Sequence, residues 1–307
     1  MYDLIIIGGG PAAAAGGVYA ARKKLNTLVL ADQFGGQSVV SQDIQNWIGT
    51  RSISGYDLSI ALEQHLRAQE SVEVKTGERV ASVAKHDDKF TVMTERGNQF
   101  ETKTVLVATG GRRRKLGIPG EKELDGKGVV YCSICDAPLF QGKTVAVVGG
   151  GNAGLEAVID LFPYANKIYL LQRSAALKGD AVTQEQVASN PRVSVLLNAA
   201  TKEIIGDTVV TGLIYEDTDT KEQHTLQVDG VFVEIGSIPN SELVRTLVSL
   251  NPYGEVEVDS RGRTSVSGVW AAGDVTTMPY KQNNIAAGDA IRAVLDIYSY
   301  LITPQRS

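Results

Sequence analysis

The sequence has only two cysteines in 307 residues, Cys132 and Cys135, and this scarcity limits what they can do. Two thiolates are too few for a four-cysteine zinc site. A disulfide between residues this close in sequence closes a very small loop and adds little stability. With no recognisable secretion signal, a Cys-x-x-Cys pair indicates redox chemistry or metal binding, and two inert buried cysteines are the alternative.

The sequence also lacks an excess of positive charge and a long apolar run. The net charge of −5 argues against a general nucleic-acid-binding protein. No stretch approaches the roughly 18 apolar residues needed to span a membrane. The apolar run at 4–7 is too short for a signal peptide and follows no basic leader. We therefore expect a cytoplasmic protein that binds neither nucleic acid nor membrane.

A glycine-rich turn, Gly8-Gly-Gly10-Pro-Ala-Ala13, lies between a predicted strand at 2–7 and a predicted helix at 12–23. In this pattern the first glycine permits the tight turn, the second admits a pyrophosphate, and the small third residue keeps helix and strand close. Free N–H groups at the helix start favour phosphate. Asp32, at the end of the next strand, suits a ribose hydroxyl. The pattern predicts a bound dinucleotide, with a purely structural turn as the alternative.

A second turn of the same kind, Gly149-Gly-Gly151-Asn-Ala-Gly154, lies between a predicted strand at 144–148 and a predicted helix at 152–162. Gln172 occupies the position where an NADH enzyme favours an acid. Arg173 and Lys178 follow, and they either neutralise a 2′-phosphate or are solvated surface charges. The second nucleotide is therefore NADPH or NADH, with the choice left open.

Cys132 and Cys135 lie between the two turns, three residues apart, so that on a helical turn both thiols share one face. A helix start lowers a thiol pKa and favours the reactive thiolate. Asp136 follows directly and is placed to carry a proton to a leaving thiolate. Two nucleotide sites around one dithiol indicate electron transfer.

The order of predicted elements indicates an α/β protein with two Rossmann-like three-layer dinucleotide-binding domains, the second inserted in the first. Glycine- and proline-bearing crossings at 116–120 and 236–240 place the first domain at 1–115 and 241–307 and the inserted domain at 116–240. We also predict strands near 193–197, 203–214 and 225–235, a loop at 35–37, and a closing helix at 282–301.

Together these motifs resemble the low-molecular-weight thioredoxin reductase family over essentially the whole chain. Details favour the reductase core of the alkyl hydroperoxide reductase flavoprotein, without that protein's N-terminal thioredoxin-like region. The residues that carry the resemblance are Gly8–Ala13, 35–37, 46–47, 108–110, Cys132–Asp136, Gly149–Gly154, 236–240, 268–274 and 280–282.

The resemblance implies FAD in the first domain and a pyridine nucleotide in the second. The residues it assigns to FAD are Gly8, Gly10, Pro11, Ala13, Asp32, Gly36, Gln37, Asn46, Ala108, Thr109, Gly110, Gly273, Asp274, Lys281 and Gln282. Those it assigns to the nicotinamide nucleotide are Gly149, Gly151, Asn152, Gly154, Gln172, Arg173 and Lys178. Taken alone, Asp274 is equally well explained as a turn or helix cap.

The resemblance also implies roles for the dithiol. Cys135 would face the flavin, Cys132 would attack the partner's disulfide, and Asp136 would be the acid–base residue. The expected partner is a thioredoxin-like or glutaredoxin-like protein, and the expected assembly is a homodimer that alternates between two domain orientations about the crossings.

The chain departs from the family pattern at two places. Gln172-Arg173 stands where NADPH-preferring members carry His-Arg-Arg and a further arginine, and Ala137 replaces the usual glycine after the catalytic aspartate. Because of the first departure, two alternative functions remain: a ferredoxin-dependent reductase and a nicotinamide-independent dithiol oxidase. A non-turnover flavoprotein redox sensor is the alternative of another class. The basic run at 112–115 is either a docking patch for an acidic partner or, as charge runs usually are, a solvated loop.

Overall fold

The computed structural model describes residues 1–41 and 43–303 and divides the chain into two compact units. The first unit consists of Met1–Arg112 and the chain from Ile238 onward, and the second unit is Arg113–Ser237. Gln42 and residues 304–307, which the predicted first domain includes, lie outside the described residues. The second unit is thus inserted in the sequence of the first.

Helices and strands alternate along most of the chain. Among the described residues the α-helices are α1 Pro11–Arg22, α2 Gly55–Arg67, α3 Ser133–Asp136, α4 Asn152–Leu161, α5 Ala181–Ser189 and α6 Asn283–Ile302. The strands are β1 Tyr2–Ile7, β2 Thr27–Ala31, β3 Val72–Thr76, β4 Val80–His86, β5 Lys89–Thr94, β6 Gln99–Val107, β7 Gly111–Arg113, β8 Val129–Val130, β9 Thr144–Val148, β10 Lys167–Leu171, β11 Val193–Leu196, β12 Ala199–Gly206, β13 Val210–Asp217, β14 Gln223–Gln227, β15 Gly230–Val233, β16 Ser237–Pro239 and β17 Val269–Ala271. None of the described helices combines the length and apolar character that a membrane span requires.

The first unit is built on a sheet ordered β3-β2-β1-β6-β5-β4, with β17 paired to β6. The strands β1, β2, β3, β6 and β17 run parallel, and β4 and β5 add an antiparallel edge. Helices α1 and α6 pack through small side chains, including the fully buried Ala13, Ala20, Ala290 and Ala293, in one core cluster. Close helix packing on a parallel sheet follows from these alanines, because they leave little side-chain volume between the backbones.

The second unit has a parallel sheet ordered β11-β10-β9-β15-β8 and a separate antiparallel sheet of β12, β13 and β14. The central strands read as continuous apolar runs because both faces of a parallel sheet are covered. Strands β9 and β15 are accordingly buried along most of their length. These sheets confirm the predicted α/β class.

Two predicted strands are wrong in extent. The span 203–214 contains the end of β12, a turn at 207–209 and the start of β13, which pairs with β12 antiparallel. The span 225–235 contains the end of β14 and then β15, which belongs to a different sheet. In both cases apolar residues flank a short turn (Gly206-Asp207 and Asp229-Gly230), so the pattern looked continuous although the chain reverses or changes sheet there.

Two further elements differ from the sequence-based expectation. The predicted loop at 35–37 leads into a 3-10 helix, Gly36–Val40. Helix α5 was not predicted, because Val187 is its one buried residue and the helix therefore lacks an apolar stripe. Both segments follow the carboxyl end of a strand in their unit, where ligands bind in open parallel sheets.

Candidate functional site

The first glycine turn connects the carboxyl end of β1 to α1 and leaves open space above the helix start. Gly8 has a φ of 138°, and a Cβ there would lie 2.2 Å from the carbonyl oxygen of Ala108. Gly10 precedes α1 with no side-chain cap, and a Cβ built on it meets no atom within 4 Å. Pro11 occupies the first turn of the helix, where its missing N–H is not needed. The turn therefore exposes backbone N–H groups to an unfilled space.

Two of the other predicted residues border this turn. Gly35 donates its N–H to the carbonyl of Gly9 at 2.9 Å. A Cβ on Gly36 would lie 3.6 Å from the Cα of Gly10, so the 35–36 backbone lies against the turn. Asp32 is exposed directly after β2, the strand beside β1. A carboxylate at that strand end is positioned for a ribose hydroxyl.

Hydrogen bonds join two predicted segments that are far apart in sequence. Gln37 donates its side-chain amide to Asp274 at 3.2 Å. Asn46 donates to the side-chain oxygen of Gln282 at 3.2 Å. Four of the residues assigned to FAD are thus brought together as two pairs.

The same network contains residues that the sequence analysis did not single out. Ser38 donates to Asn283 at 2.9 Å, and Asn284 donates to the carbonyl of Asn46 at 2.6 Å. A run of three amide side chains, 282–284, at the start of a long helix was the available signal. These amides tie the 37–48 segment to the start of α6.

Most of the remaining predicted residues of the first unit follow the ends of β6 and β17, and Lys281 precedes α6. Thr109 donates its hydroxyl to the carbonyl of Asn240 at 2.7 Å, and the Asn240 amide donates back to the Thr109 carbonyl at 2.9 Å. A Cβ on Gly273 would lie 3.1 Å from Cβ of Ala286, so glycine allows α6 to approach. Lys281 forms an ion pair with Glu255 at 3.1 Å and donates to a backbone carbonyl, so its ammonium is already engaged within the protein.

These features fit FAD. An uncapped helix start offers N–H donors to a pyrophosphate. The backbone at Gly10 and Gly110 is open to a ligand, because neither position has an atom within 4 Å of a built Cβ. The residues that would hold FAD are those around the Gly8 turn, Asp32, and the hydrogen-bonded pairs of Gln37 with Asp274 and Asn46 with Gln282.

The second glycine turn repeats this geometry at the end of β9. Gly149 has a φ of 126°, and Gly151 precedes α4 with no side-chain cap and no atom within 4 Å of a built Cβ. Gly154 cannot be replaced without movement, since a Cβ there would lie 1.7 Å from the Gly149 carbonyl oxygen. The turn is open in the same place as the first and fits a second pyrophosphate.

Gln172 is held against the second turn rather than directed to solvent. Its side-chain oxygen accepts the N–H of Gly150 at 2.9 Å, and its amide donates to Ser174 at 2.5 Å and to the carbonyl of Ala176 at 3.3 Å. The Lys178 N–H donates to the Gly150 carbonyl at 2.7 Å. The 172–178 segment is therefore folded over the turn, and its ribose position carries no acidic group.

Other polar residues complete the second turn. The Asn152 side-chain oxygen accepts the N–H of Asp180 at 2.7 Å, which holds the chain just after the 172–178 segment beside the turn. The side chains of Arg173 and Lys178 are exposed. They lie within the segment that borders the turn and remain accessible to an anionic ligand.

Cys132 and Cys135 form a disulfide at the start of α3, with their Cα atoms 5.4 Å apart. Cys132 precedes the helix, and the N–H of Cys135 donates to its sulfur at 3.3 Å. Asp136 ends this turn, and its backbone N–H donates to the Cys132 carbonyl at 3.0 Å. The backbone thus offers the Cys132 sulfur a hydrogen-bond donor that would favour a thiolate.

Asp136 is a buried carboxyl group beside this disulfide, 9% exposed. Burial raises its pKa from the ordinary value of 3.8 to about 6, and the positive charge of Arg113 opposes this. A carboxyl group with a pKa near the working pH can both give and take a proton. Ala137, which replaces the family's glycine, is buried in the core beneath α3.

A second acid, Glu234, was missed by the sequence analysis. It follows β15, is 7% exposed, and accepts a hydrogen bond from the Ser133 backbone. Burial raises its pKa from 4.5 to about 7, and the charges of Asp160 and Asp136 add to that rise. An acidic residue directly after a wholly apolar strand, Val231-Phe-Val-Glu234, was the signal in the sequence.

The basic run at 112–115 is engaged in separate contacts. Arg112 pairs with Glu242 at 2.8 Å, and Lys115 pairs with Asp125 at 2.7 Å. Arg113 faces the buried acids of the second unit. The run is therefore neither a single cationic patch nor a wholly solvated loop.

Sequence comparison matches the chain to one family model and to reductases and dehydrogenases. The family model of pyridine nucleotide-disulphide oxidoreductases matches residues 2–290. The chain is 44% identical over 305 residues to the F component of alkyl hydroperoxide reductase from Pseudomonas aeruginosa, covering 98% of this chain and 58% of the relative. It is 43% identical over 309 residues to an NADH dehydrogenase of Ferdinandcohnia aciditolerans, covering 100% of this chain and 59% of that protein. The chain thus spans just under three fifths of the length of these curated relatives.

Structural comparison finds a solved chain that matches over nearly its full length. Thioredoxin reductase from Streptococcus pyogenes superposes with a TM-score of 0.91 at 33% identity, covering 98% of both chains. The chain therefore belongs to the pyridine nucleotide-disulphide oxidoreductase family.

Proposed function

We propose that this protein passes electrons from NADH or NADPH, through FAD and the Cys132–Cys135 pair, to the disulfide of a thioredoxin-like or glutaredoxin-like protein. The observation that carries the proposal is the disulfide at the start of α3 beside a buried acid whose pKa is about 6. The thioredoxin reductase and the alkyl hydroperoxide reductase component among the relatives support the same assignment.

FAD, when bound, supplies two-electron transfer between a nicotinamide and the disulfide. The chain's own residues then carry out thiol–disulfide exchange. The Cys132 thiolate attacks one sulfur of the partner's disulfide, forms a mixed disulfide and releases one partner thiolate. The Cys135 thiolate next attacks the Cys132 sulfur, which releases the second partner thiolate and restores the Cys132–Cys135 bond.

The N–H of Cys135 supports Cys132 as the attacking residue. It donates to the Cys132 sulfur at 3.3 Å and would stabilise negative charge on that sulfur once the disulfide opens. Asp136 supports the proton transfers, because a buried carboxyl group with a pKa of about 6 exchanges protons readily near neutral pH. The two released partner thiolates require two protons, and Asp136 is the acid nearest in sequence.

We propose that the second unit accepts both nicotinamide nucleotides. No carboxylate stands at position 172 to repel a 2′-phosphate, and the Gln172 amide is occupied by Ser174 and Ala176. Arg173 and Lys178 are exposed beside the turn and are available to a 2′-phosphate. Position 172 therefore lacks the carboxylate that favours NADH, and the segment lacks the full set of arginines that favours NADPH.

The decisive experiment mixes the FAD-loaded protein anaerobically with each donor and follows flavin absorbance. We expect bleaching by both nucleotides and then steady-state reduction of thioredoxin. Cys132→Ser should abolish reduction of thioredoxin while FAD remains bound and is still bleached by the donor. Full thioredoxin reduction by that variant would overturn the assignment. Failure of both nucleotides would instead favour ferredoxin or a thiol as the donor.

The same experiment tests the alternative that the protein is a flavoprotein redox sensor that does not turn over. Such a protein would be bleached by a donor, yet it would not reduce a thioredoxin catalytically. Multiple turnovers per flavin therefore exclude the sensor, whereas a single turnover with each partner tested would contradict our proposal.

A further inference from the structure

The buried carboxyl group of Glu234 lies at the carboxyl end of the second unit's parallel sheet, where β15 ends. Its backbone N–H pairs with the Val148 carbonyl at 2.9 Å, so the residue stands beside the end of β9. Its carboxyl group accepts a hydrogen bond from the Ser133 backbone, the first residue of α3. Glu234 thus contacts the helix that carries the dithiol, although it lies far from that helix in the sequence.

Charged groups from three other elements face Glu234. Asp136 belongs to α3, Asp160 to α4, and Arg113 to β7, and each contributes to the electrostatic potential at the Glu234 carboxyl. The Ser133 hydroxyl donates to Asp160 at 2.7 Å, which ties the start of α3 to α4. Ser133 thus bonds to two acids, Asp160 and Glu234, while Asp136 and Arg113 lie close enough to act on the Glu234 carboxyl group.

This arrangement favours retention of a proton. Asp136 and Glu234 are both buried, and a buried site disfavours two negative charges at once. Arg113 balances one of them. The cluster therefore holds a proton near neutral pH, which belongs to the pair as a whole because the two titrations are linked.

The proposed reaction requires such a proton. Reduction of the Cys132–Cys135 disulfide breaks one S–S bond, takes two electrons and needs two protons to yield two thiols. A hydride from NADH or NADPH brings both electrons and one proton. The second proton must come from solvent, through groups that reach the dithiol.

We propose that Glu234 is a positioning residue of the dithiol reaction, which anchors the start of α3 through Ser133 and stores the proton that Asp136 exchanges with the thiols. This inference rests on the proposed function. When Asp136 gives its proton to a thiolate, the proton held on Glu234 keeps the cluster from carrying two buried negative charges. Asp136 regains a proton from Glu234, and Glu234 regains one from water. One proton is therefore taken up from water in each turnover.

The order of the two pKa values sets the pH range. With pKa values of about 6 at Asp136 and about 7 at Glu234, the linked pair loses the proton it shares as the pH rises through about 7. We expect the wild-type turnover rate to fall as the pH rises through about 7. Below about pH 6, solvent protonates Asp136 directly and Glu234 becomes dispensable.

The test compares three variants of the FAD-loaded full chain. Glu234→Gln keeps an oxygen acceptor for the Ser133 N–H but cannot exchange a proton. Glu234→Asp keeps a titratable carboxyl group on a shorter side chain. Glu203→Gln removes an exposed glutamate from β12 of the same unit and serves as the matched control.

Two readouts are measured between pH 5.5 and 8.5. The first is thioredoxin reduction, for which Glu234→Gln should lower the rate about tenfold at pH 7.5 and leave it near wild type at pH 5.5. The expected loss is smaller than the roughly 10²–10⁴-fold of a direct general acid, because Glu234 acts through Asp136. Glu234→Asp should restore part of the loss, and the control should match wild type. The second is alkylation of the chemically reduced dithiol by iodoacetamide, which requires neither a nucleotide nor a partner.

In the alkylation readout, the rate of alkylation plotted against pH should show an inflection near pH 7 in the wild type and none in Glu234→Gln. Because Glu234 turns negative above that pH and opposes thiolate formation, the variant should also be alkylated about threefold faster at pH 8. An unchanged pH profile in Glu234→Gln, or an equal loss at every pH in both Glu234 variants, would overturn the inference. If the wild type reduces no thioredoxin, the proposed function fails, whereas the alkylation profile still decides the role of Glu234.

Discussion

Replacing Asp136 by asparagine should stabilise the protein at pH 8 while it slows turnover. The pKa of Asp136 rises from 3.8 to about 6 on folding. The folded protein therefore binds this proton more tightly than the unfolded chain, so the stability it contributes is present below about pH 4 and is lost as the pH rises through 6. At pH 8 the buried Asp136 carboxylate is ionised and destabilises the folded protein, and a neutral asparagine side chain removes this destabilisation.

The magnitude follows from the size of the pKa shift. A rise of about 2 pH units, at about 1.4 kcal/mol each, corresponds to at most about 3 kcal/mol. Arg113 loses its charge partner in the variant, which reduces the gain, so we expect a net gain of about 1–3 kcal/mol at pH 8. The second unit, Arg113–Ser237, is of intermediate size, so at about 4 °C per kcal/mol the gain is a rise in Tm of about 4–12 °C.

The assay is thermal unfolding of the FAD-loaded protein, followed by circular dichroism at pH 5 and pH 8. Asp136→Asn should raise Tm at pH 8 and raise it only about half as much at pH 5, because at pH 5 the carboxyl group is still protonated in the folded protein but already ionised in the unfolded chain. Asp207→Asn, at an exposed turn of the same unit, should change neither value. A lower Tm at pH 8, or an equal change at both pH values, would refute the argument from burial.

Further changes separate ligand binding from folding. Gly10→Ala places a methyl group where no protein atom lies within 4 Å, so Tm of the FAD-free protein should stay within about 2 °C while FAD affinity falls at least tenfold, measured by fluorescence titration. Equal FAD affinity would show that the pyrophosphate does not approach Gly10. Gly151→Ala should have the same effect on nicotinamide nucleotide binding and leave FAD bound, and loss of FAD instead would contradict the assignment of the two turns. Gln172→Glu should reduce the rate of flavin bleaching by NADPH relative to NADH about tenfold, because a carboxylate repels a 2′-phosphate, and an unchanged donor ratio would mean that position 172 does not face the adenosine ribose.

Much of the local structure of both sites was predictable. Gly8 and Gly149 have φ values of 138° and 126°, and such turns need glycine whatever the rest of the chain does. The residues that complete each glycine turn lie within six positions of one another, so neighbouring residues alone decide that backbone. The Cys-x-x-Cys spacing likewise brings two sulfurs together within one turn.

The long-range pairs could not be predicted in the same way. Gln37 meets Asp274, and Asn46 meets Gln282, across more than 230 positions. The motif resemblance grouped these residues with one cofactor, but it did not indicate that they bond to each other. Such a pairing depends on α6 returning beside the first turn, and that placement follows from the packing of α6 against α1 in the core.

The sequence by itself determined the two glycine turns, the dithiol with its adjacent acid, and the α/β class, because each rests on residues close together in the chain. Tertiary structure alone decided that Gln172 lies folded against Gly150 and that Glu234 contacts the start of α3. The physical reason is the order of the parallel strands. Placing β15 beside β9 sets Glu234 at the dithiol helix, and burial there gives its carboxyl group a pKa that no sequence pattern encodes.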